Sequence, residues 1–336
     1  MYYLITNKLL KILEIPGEMM DQEGYIISGM SLLLMVPAMV LSICLLTTFN
    51  MGSDITEQAI QSDNIYYASQ DLQRNIPLLA LEVLNETGEE VKNDNLALEN
   101  SSMYIKNKLQ SRTNKFTSDY ELRSDLEIKC TIDSVQPFKD PWYIEVNSTL
   151  FLSQKEFYHE EKVSNQVPIT QLVDPLPFIK CGFYGDLKCS ENRIFYGILL
   201  SEYLQDKGVA NASYYTNASA PLLIQKCPYE SYIIHGDENT RDSCINNGFY
   251  HYSDDGACYL CRLEGKAVCI HPGVEVFILI PSLNESIPLT ASSSIDHVIF
   301  SEDIYPGEYM ALKFLGVEYG LFLDNAHRSK YGIPLP

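Results

Sequence analysis

The stretch from Tyr25 to Phe49, YIISGMSLLLMVPAMVLSICLLTTF, contains no charged residue. At a helical rise of about 1.5 Å per residue it is long enough to cross the hydrocarbon core of a bilayer, about 30 Å, with length left for tilt. A buried helix of a soluble domain is the competing reading, but such helices are usually much shorter than this run. Pro37 near the middle predicts a kink, which a membrane helix tolerates because its neighbours satisfy the freed carbonyl. Lys8 and Lys11 lie before the span, and no Lys or Arg follows it until Arg74, while Asp54, Glu57 and Asp63 come early. Basic flanks stay on the cytoplasmic side, so the N-terminus is expected inside and nearly all of the remaining chain outside. A removable secretory signal has a shorter apolar core that begins closer to its basic start. A lipoprotein site at Cys44 fails because Ile43 precedes it and the apolar run continues beyond it. Residues 25–49 are therefore read as a transmembrane helix, uncleaved or clipped upstream. The expectation is a single-pass protein of the cell membrane, with the lipid bilayer as its first partner.

Residues 1–24 read as a cytoplasmic leader. MYYLITNKLLKIL places Leu4, Ile5, Leu9, Ile12 and Leu13 at helical spacing, the pattern of an amphipathic helix at a membrane surface, and Pro16-Gly17 ends it.

Beyond the span, two independent marks point outside the cell. Eight cysteines follow it: Cys130, Cys181, Cys189, Cys227, Cys244, Cys258, Cys261 and Cys269. Their even number, and the crowding of seven between residues 181 and 269, read as a disulfide framework, with on the order of a hundred pairings open. Asparagines 85, 100, 147, 211, 217 and 284 (Asn85, Asn100, Asn147, Asn211, Asn217, Asn284) each open an N-x-S/T tripeptide, where chance would give roughly two such sites. They are glycosylation candidates. A net charge of −20 argues against binding a phosphate backbone, so no nucleic-acid partner is expected. With 46% hydrophobic and 20% charged residues, the chain is that of a folded protein, not a disordered one.

The expected fold class is α+β: a single N-terminal transmembrane helix, a helical stalk, then a β-rich, disulfide-containing ectodomain with antiparallel strands. Residues 50–115 are the stalk. Ile55, Ala59, Ile60, Tyr66, Leu72, Leu79 and Val83 recur at helical steps, Gly52-Ser-Asp54 suggests a break, and Pro77 should break or kink the stretch. A second helical piece is expected from Asn95 to Ser111. Residues 120–179 are an antiparallel meander. Leu126, Ile128, Cys130 and Ile132 alternate with polar residues, as do Trp142, Ile144 and Val146, and a third strand is expected from Phe157 to Val163. Asp174-Pro-Leu-Pro-Phe178 is expected to be neither helix nor central strand. Residues 180–336 form a cysteine-rich α+β region. It should contain a helix from Ser190 to Asp206, a glycan-prone loop at residues 211–221, and short strands at Leu222–Ile224, Tyr232–Ile234, Val274–Ile280, Val298–Phe300, Leu312–Phe314 and Tyr319–Leu323.

Few residues carry chemistry. Cys258-Tyr-Leu-Cys261 is a C-x-x-C, and with Cys244, Cys269, His271 and His251 near it a zinc knob is one reading. The spacing matches no standard finger and the expected compartment favours disulfides. His235-Gly-Asp237-Glu, Asp296-His297 and Asp324-Asn-Ala-His327 place histidine beside carboxylates, the raw material of acid–base chemistry or metal binding. A polar loop, a strand-edge histidine and a helix cap are the preferred readings of them. No nucleophile-elbow, zincin, dinucleotide or P-loop motif occurs. Catalytic residues, metal ligands and cofactors are accordingly expected to be none.

Asp21-Gln-Glu-Gly24-Tyr25-Ile-Ile, followed by the apolar run and a β-rich outer region, resembles archaeal type IV pilin-like envelope proteins, including those likened to TadE. The resemblance implies cutting by a membrane peptidase between Gly24 and Tyr25, and polymerisation through the apolar helix with like subunits or other envelope proteins. Glu23 stands where such leaders usually carry a basic residue, and Gly29 where bacterial pilins carry a Glu. The resulting expectation is a non-catalytic, membrane-anchored cell-surface protein with a pilin-like or adhesive role. An anchored extracellular hydrolase or ligand-binding protein is the alternative.

Overall fold

The computed structural model describes residues 22–209, 212–229, 238–281, 291–292, 294–301, 306–314, 317–323 and 325–331. The amphipathic leader, the sites Asn211 and Asn284, the strand expected at Tyr232–Ile234, and His235, Asp237 and Asp324 fall outside them. The chain divides into two units, Met1–Asn64 and Ile65–Pro336.

In the first unit, helix α1 (Gln22–Asp94) begins. Its stretch from Met30 to Phe49 is apolar and exposed, with Leu33, Leu41 and Phe49 each more than half accessible. This is one helix long and apolar enough to cross a membrane, by length and composition. Its hydroxyls turn inward on the helix: Ser42 donates to the Ala38 carbonyl at 2.8 Å and Thr48 to that of Cys44 at 2.7 Å. Such back-bonding hides polar groups from an apolar surrounding. The expected break at Gly52-Ser-Asp54 does not occur. The helix continues, and the Thr56 hydroxyl bonds the Gly52 carbonyl at 2.8 Å.

In the second unit α1 also runs unbroken through Pro77. An interior proline costs a helix about 3 kcal/mol. The cost is offset by a continuous apolar face, Leu72, Ile76, Ala80, Val83, Leu84 and Val91, all within the main core. Helix α2 (Ser101–Glu121) is longer than expected. Asn100 caps it by accepting from the Met103 N–H, and its stripe Ile105, Leu109, Thr113 and Thr117 is buried. These helices share their core with an antiparallel sheet of three strands, β1 (Glu127–Pro137), β2 (Tyr143–Gln154) and β3 (Phe157–Pro168), in the order β1-β2-β3. The meander is the one the period-two pattern predicts. Cys130 pairs with Leu150 and Ile128 with Leu152, and these side chains all point to the buried face. A bulge between Ile132 and Ser134 shifts the register and keeps Val135 inside.

The remaining chain is more irregular than expected. Helix α3 (Leu176–Cys181) forms where none was expected, because Pro177 sits in its first turn, where a missing N–H costs nothing. A sheet β4-β5-β6 follows, with β4 (Lys188–Cys189), β5 (Arg193–Gly197) and, after helix α4 (Leu199–Asp206), β6 (Ala218–Pro221). The helix expected from Ser190 to Asp206 thus splits into strand and helix at Gly197, whose φ of +56° leaves the helical region. Helix α5 (Glu238–Asn247) leads into the two-stranded ribbon of β7 (His251–Ser253) and β8 (Gly273–Glu275), with helix α6 (Tyr259–Leu263) between them. A last sheet, ordered β10-β11-β12-β9, joins β9 (Ile280–Pro281), β10 (Ala291–Ser292), β11 (Pro306–Phe314) and β12 (Val317–Leu323). Helix α7 (Asp296–Phe300) replaces the strand expected at Val298–Phe300, and helix α8 (Asn325–Lys330) ends the described chain.

Candidate metal centres

No two of the cysteines expected as a disulfide framework stand at disulfide distance. A disulfide needs an S–S distance of about 2.05 Å, and Cys227 and Cys244 stand 3.2 Å apart. Placement explains the difference. Cys130 lies on the inner face of β1, where burial pushes its thiol up to about 12, Cys181 is buried at the end of α3, and Cys189 is exposed on β4. The other five converge on histidines.

The first convergence is Cys258, Cys261, Cys269 and His271, whose four donor atoms lie within 4.8 Å of one another. Cys258 is the N-cap of α6, and Cys261 stands one turn on. The chain turns at Gly265, where φ is +71°, and returns past Cys269 and His271 into β8. Glycine is required where it re-enters: a Cβ on Gly273 would lie 2.3 Å from the Gly256 carbonyl oxygen. His271 Nδ1 is 3.7 Å from Sγ of both Cys258 and Cys261. The Cys258 N–H donates to Cys269 Sγ at 3.3 Å. Hydrogen bonds from the Cys258 and Cys261 thiols, aided by that amide, hold the Cys269 thiol well below its usual range.

The second convergence is Cys227, Cys244 and His251. It is tighter, with Cys244 Sγ 2.9 Å from His251 Nε2. Hydrogen bonding from Cys244, supported by His251, brings the Cys227 thiol down to about 4 against the opposing effect of burial. Cys227 and His251 also line a cavity of about 220 Å³ with Asp140, Trp142, Tyr250 and Tyr252.

The third is Glu275, His297 and His327, all buried. Glu275 Oε2 is 3.6 Å from His297 Nδ1 and 3.8 Å from His327 Nε2. Burial alone would raise the Glu275 carboxyl, but His327, Lys330 and His297 hold it well below the usual range. Burial lowers His297, against the pull of Asp296 and Glu275.

A buried ionic knot links the first and third groups. Arg262, next to Cys261, is fully buried. Its Nε and Nη2 donate to the two oxygens of Asp174 at 2.9 and 2.5 Å, and Nη2 also reaches Asp296 Oδ2 at 2.6 Å. Tyr250 donates to Asp174 at 2.9 Å. Arg262 also binds the Val274 carbonyl, while Asp296 accepts from the Val276 N–H. The backbone is therefore held on either side of Glu275.

Of the histidine and carboxylate residues singled out in the sequence, His297 and His327 come together, with ring centroids 5.4 Å apart. Asp296 is committed to Arg262. Glu275 and the Asp174–Arg262 pair were missed. The signal for Glu275 was available: it is the sole charge in the apolar run Val274–Ile280. Among the sequons, Asn85 on α1, Asn100 and Asn217 are exposed. Asn147 is half-buried in β2, donating to Ser134 at 3.1 Å.

No protein-family model matches the chain, and neither a curated protein nor a solved structure is significantly similar to it.

Proposed function

We propose that this is a single-pass, membrane-anchored cell-surface protein with a pilin-like or adhesive, non-catalytic role. The apolar part of α1 lies in the bilayer, and the unit from Ile65 onward faces outward. One observation carries the reading: an uncharged, exposed apolar helical stretch in which the Ser42, Thr47 and Thr48 hydroxyls are bonded within the helix. Such a surface is stable in lipid or against like helices. Ser31, Ala38 and Ser42 are small enough to let helices approach closely. The excess of acidic residues keeps the outer unit soluble and gives it no affinity for nucleic acid.

The test is carbonate extraction of membranes, protease shaving of intact cells, and N-terminal peptide analysis of the mature chain. Retention in the membrane, shaving from outside, and a chain starting at Tyr25 within sheared filaments support the full proposal. A chain that keeps its leader and yields no filaments reduces it to an anchor. Release by carbonate refutes it.

The second reading, an anchored hydrolase or ligand-binding protein, is favoured by the low-pKa Cys227 on the cavity wall beside His251. A depressed thiol with an imidazole in contact is the arrangement of an activated nucleophile. Alkylation of Cys227 at pH 6, ahead of Cys130, Cys181 and Cys244, whose thiols are pushed up, would favour this reading. Uniform labelling would count against it.

A further inference from the structure

We infer that Cys258, Cys261, Cys269 and His271 form a structural centre for a zinc-class divalent ion, a closed Cys3His tetrahedron. Bond lengths decide this. With zinc–sulfur near 2.3 Å and zinc–nitrogen near 2.05 Å, the edges of a tetrahedron are about 3.8 Å between two sulfurs and about 3.5 Å between sulfur and nitrogen. The sulfur–nitrogen edges from Cys258 and Cys261 to His271 are 3.7 Å, close to that value, and all four donor atoms lie within 4.8 Å of one another. The Cys227 group fails the same comparison. Its 3.2 and 2.9 Å separations are those of thiols hydrogen-bonded to each other and to imidazole, and an ion there would have to push the donors apart.

Donor chemistry agrees. Three thiols and an imidazole are the ligands a borderline-soft, four-coordinate ion takes. Disulfide chemistry accounts for the group less well. It is an odd set of cysteines, so any bridge within it strands one thiol beside His271. The Cys258 amide donates to Cys269 sulfur, as backbone amides do where they offset thiolate charge. Lys266 supplies a positive charge near Cys261 and Cys269. The bound ion would close the loop between α6 and β8, and the buried Arg262 would hold that loop from below.

The experiment uses the full-length chain purified from its own membranes in detergent, without chelator. Zinc is measured by elemental analysis and free thiols by alkylation and intact mass. About one zinc per chain is expected, falling below about 0.2 in C258S and C261S and unchanged in C227S. Because loss of the ion would also misfold a serine variant, His271→Cys supplies a second arm. It keeps four donors, so zinc should stay at the wild-type level. Cobalt exchanged into the wild-type chain should give the ligand-field and thiolate charge-transfer absorption of a tetrahedral sulfur-rich site. The inference is overturned by a wild-type chain that carries no zinc and binds none when it is added. It is equally overturned by a mass showing a disulfide among Cys258, Cys261 and Cys269, or by zinc that persists in C258S and C261S.

Discussion

Asp174 offers the sharpest test of how the outer unit is held together. It is fully buried and accepts hydrogen bonds from Arg262 Nε and Nη2, Tyr250 and the Leu176 N–H. Asp174→Asn keeps its shape, removes its charge, and turns one acceptor into an amide that faces donors. Breaking a buried pair from one side costs about 3–5 kcal/mol. Asp296 remains beside the guanidinium as a counter-charge, so the lower end, about 3 kcal/mol, is expected. For a protein whose total stability is on the order of 5–15 kcal/mol, this is a large share. The chain has one tryptophan, Trp142, and it is buried, so its fluorescence in a urea titration reports the unfolding of this unit. With a slope of about 3 kcal/mol/M, the midpoint should fall by about 1 M. Arg262→Met combined with Asp174→Asn should cost about 2 kcal/mol less than the two changes summed, because the double variant strands fewer charges. A midpoint that falls by less than about 0.3 M at unchanged slope, or strictly additive single changes, would refute the reasoning.

Three further outcomes follow from the same structure. Pro77→Ala restores a helix hydrogen bond in the middle of α1 and should raise stability by about 1–3 kcal/mol in the same titration; a fall would mean that the proline geometry is needed for packing. Glu264 accepts from the Ser101 N–H and hydroxyl at 3.0 and 2.9 Å, and from Lys266. Burial alone would raise its carboxyl, but these bonds hold it below the usual range. A depressed folded pKa adds stability above the unfolded value of about 4.3 and loses it as pH falls through the folded value. The advantage of wild type over Glu264→Gln, about 1–2 kcal/mol, should therefore be flat at neutral pH and shrink below about pH 4.5; a gap that widens in acid would contradict this. Finally, glycopeptide mass analysis should find sugar on exposed Asn217 and none on Asn147, whose amide is bonded to Ser134 within a sheet.

How much of this was legible in the sequence depends on the range of the forces involved. The apolar helix and the meander were, because one rests on composition and the other on strict alternation along Ile128–Ile132 and Trp142–Val146, both local. The continuity of α1 through Gly52 and Pro77 was not. At Pro77 a local rule marks a break, and packing of Leu72, Ile76 and Ala80 in a common core overrides it. The strand at Arg193–Gly197 was hidden because one partner, β4, is only two residues long and the other, β6, lies beyond an intervening helix. At the proposed metal centre, Cys258, Cys261, Cys269 and His271 were all visible as letters. Their spacing matched no standard finger and the expected compartment favoured disulfides, and the turn at Gly265 that folds His271 back onto α6 is not written in any one residue. The Asp174–Arg262 pair spans 88 positions, beyond the reach of any periodicity.

The ribbon β7–β8 sets His251 directly opposite Glu275, and the strands are joined by the segment that carries Cys258, Cys261, Cys269 and His271. An ion that pins Cys258 to His271 would leave only short arms to be ordered before the strands meet. Closing such arms instead of the whole connection saves about 1 kcal/mol of loop entropy. That is roughly a fivefold gain in how often the strands find each other in register. Metal supply would then act on the order of folding events, with the ribbon zipping after capture of the ion and the buried Arg262 locking last.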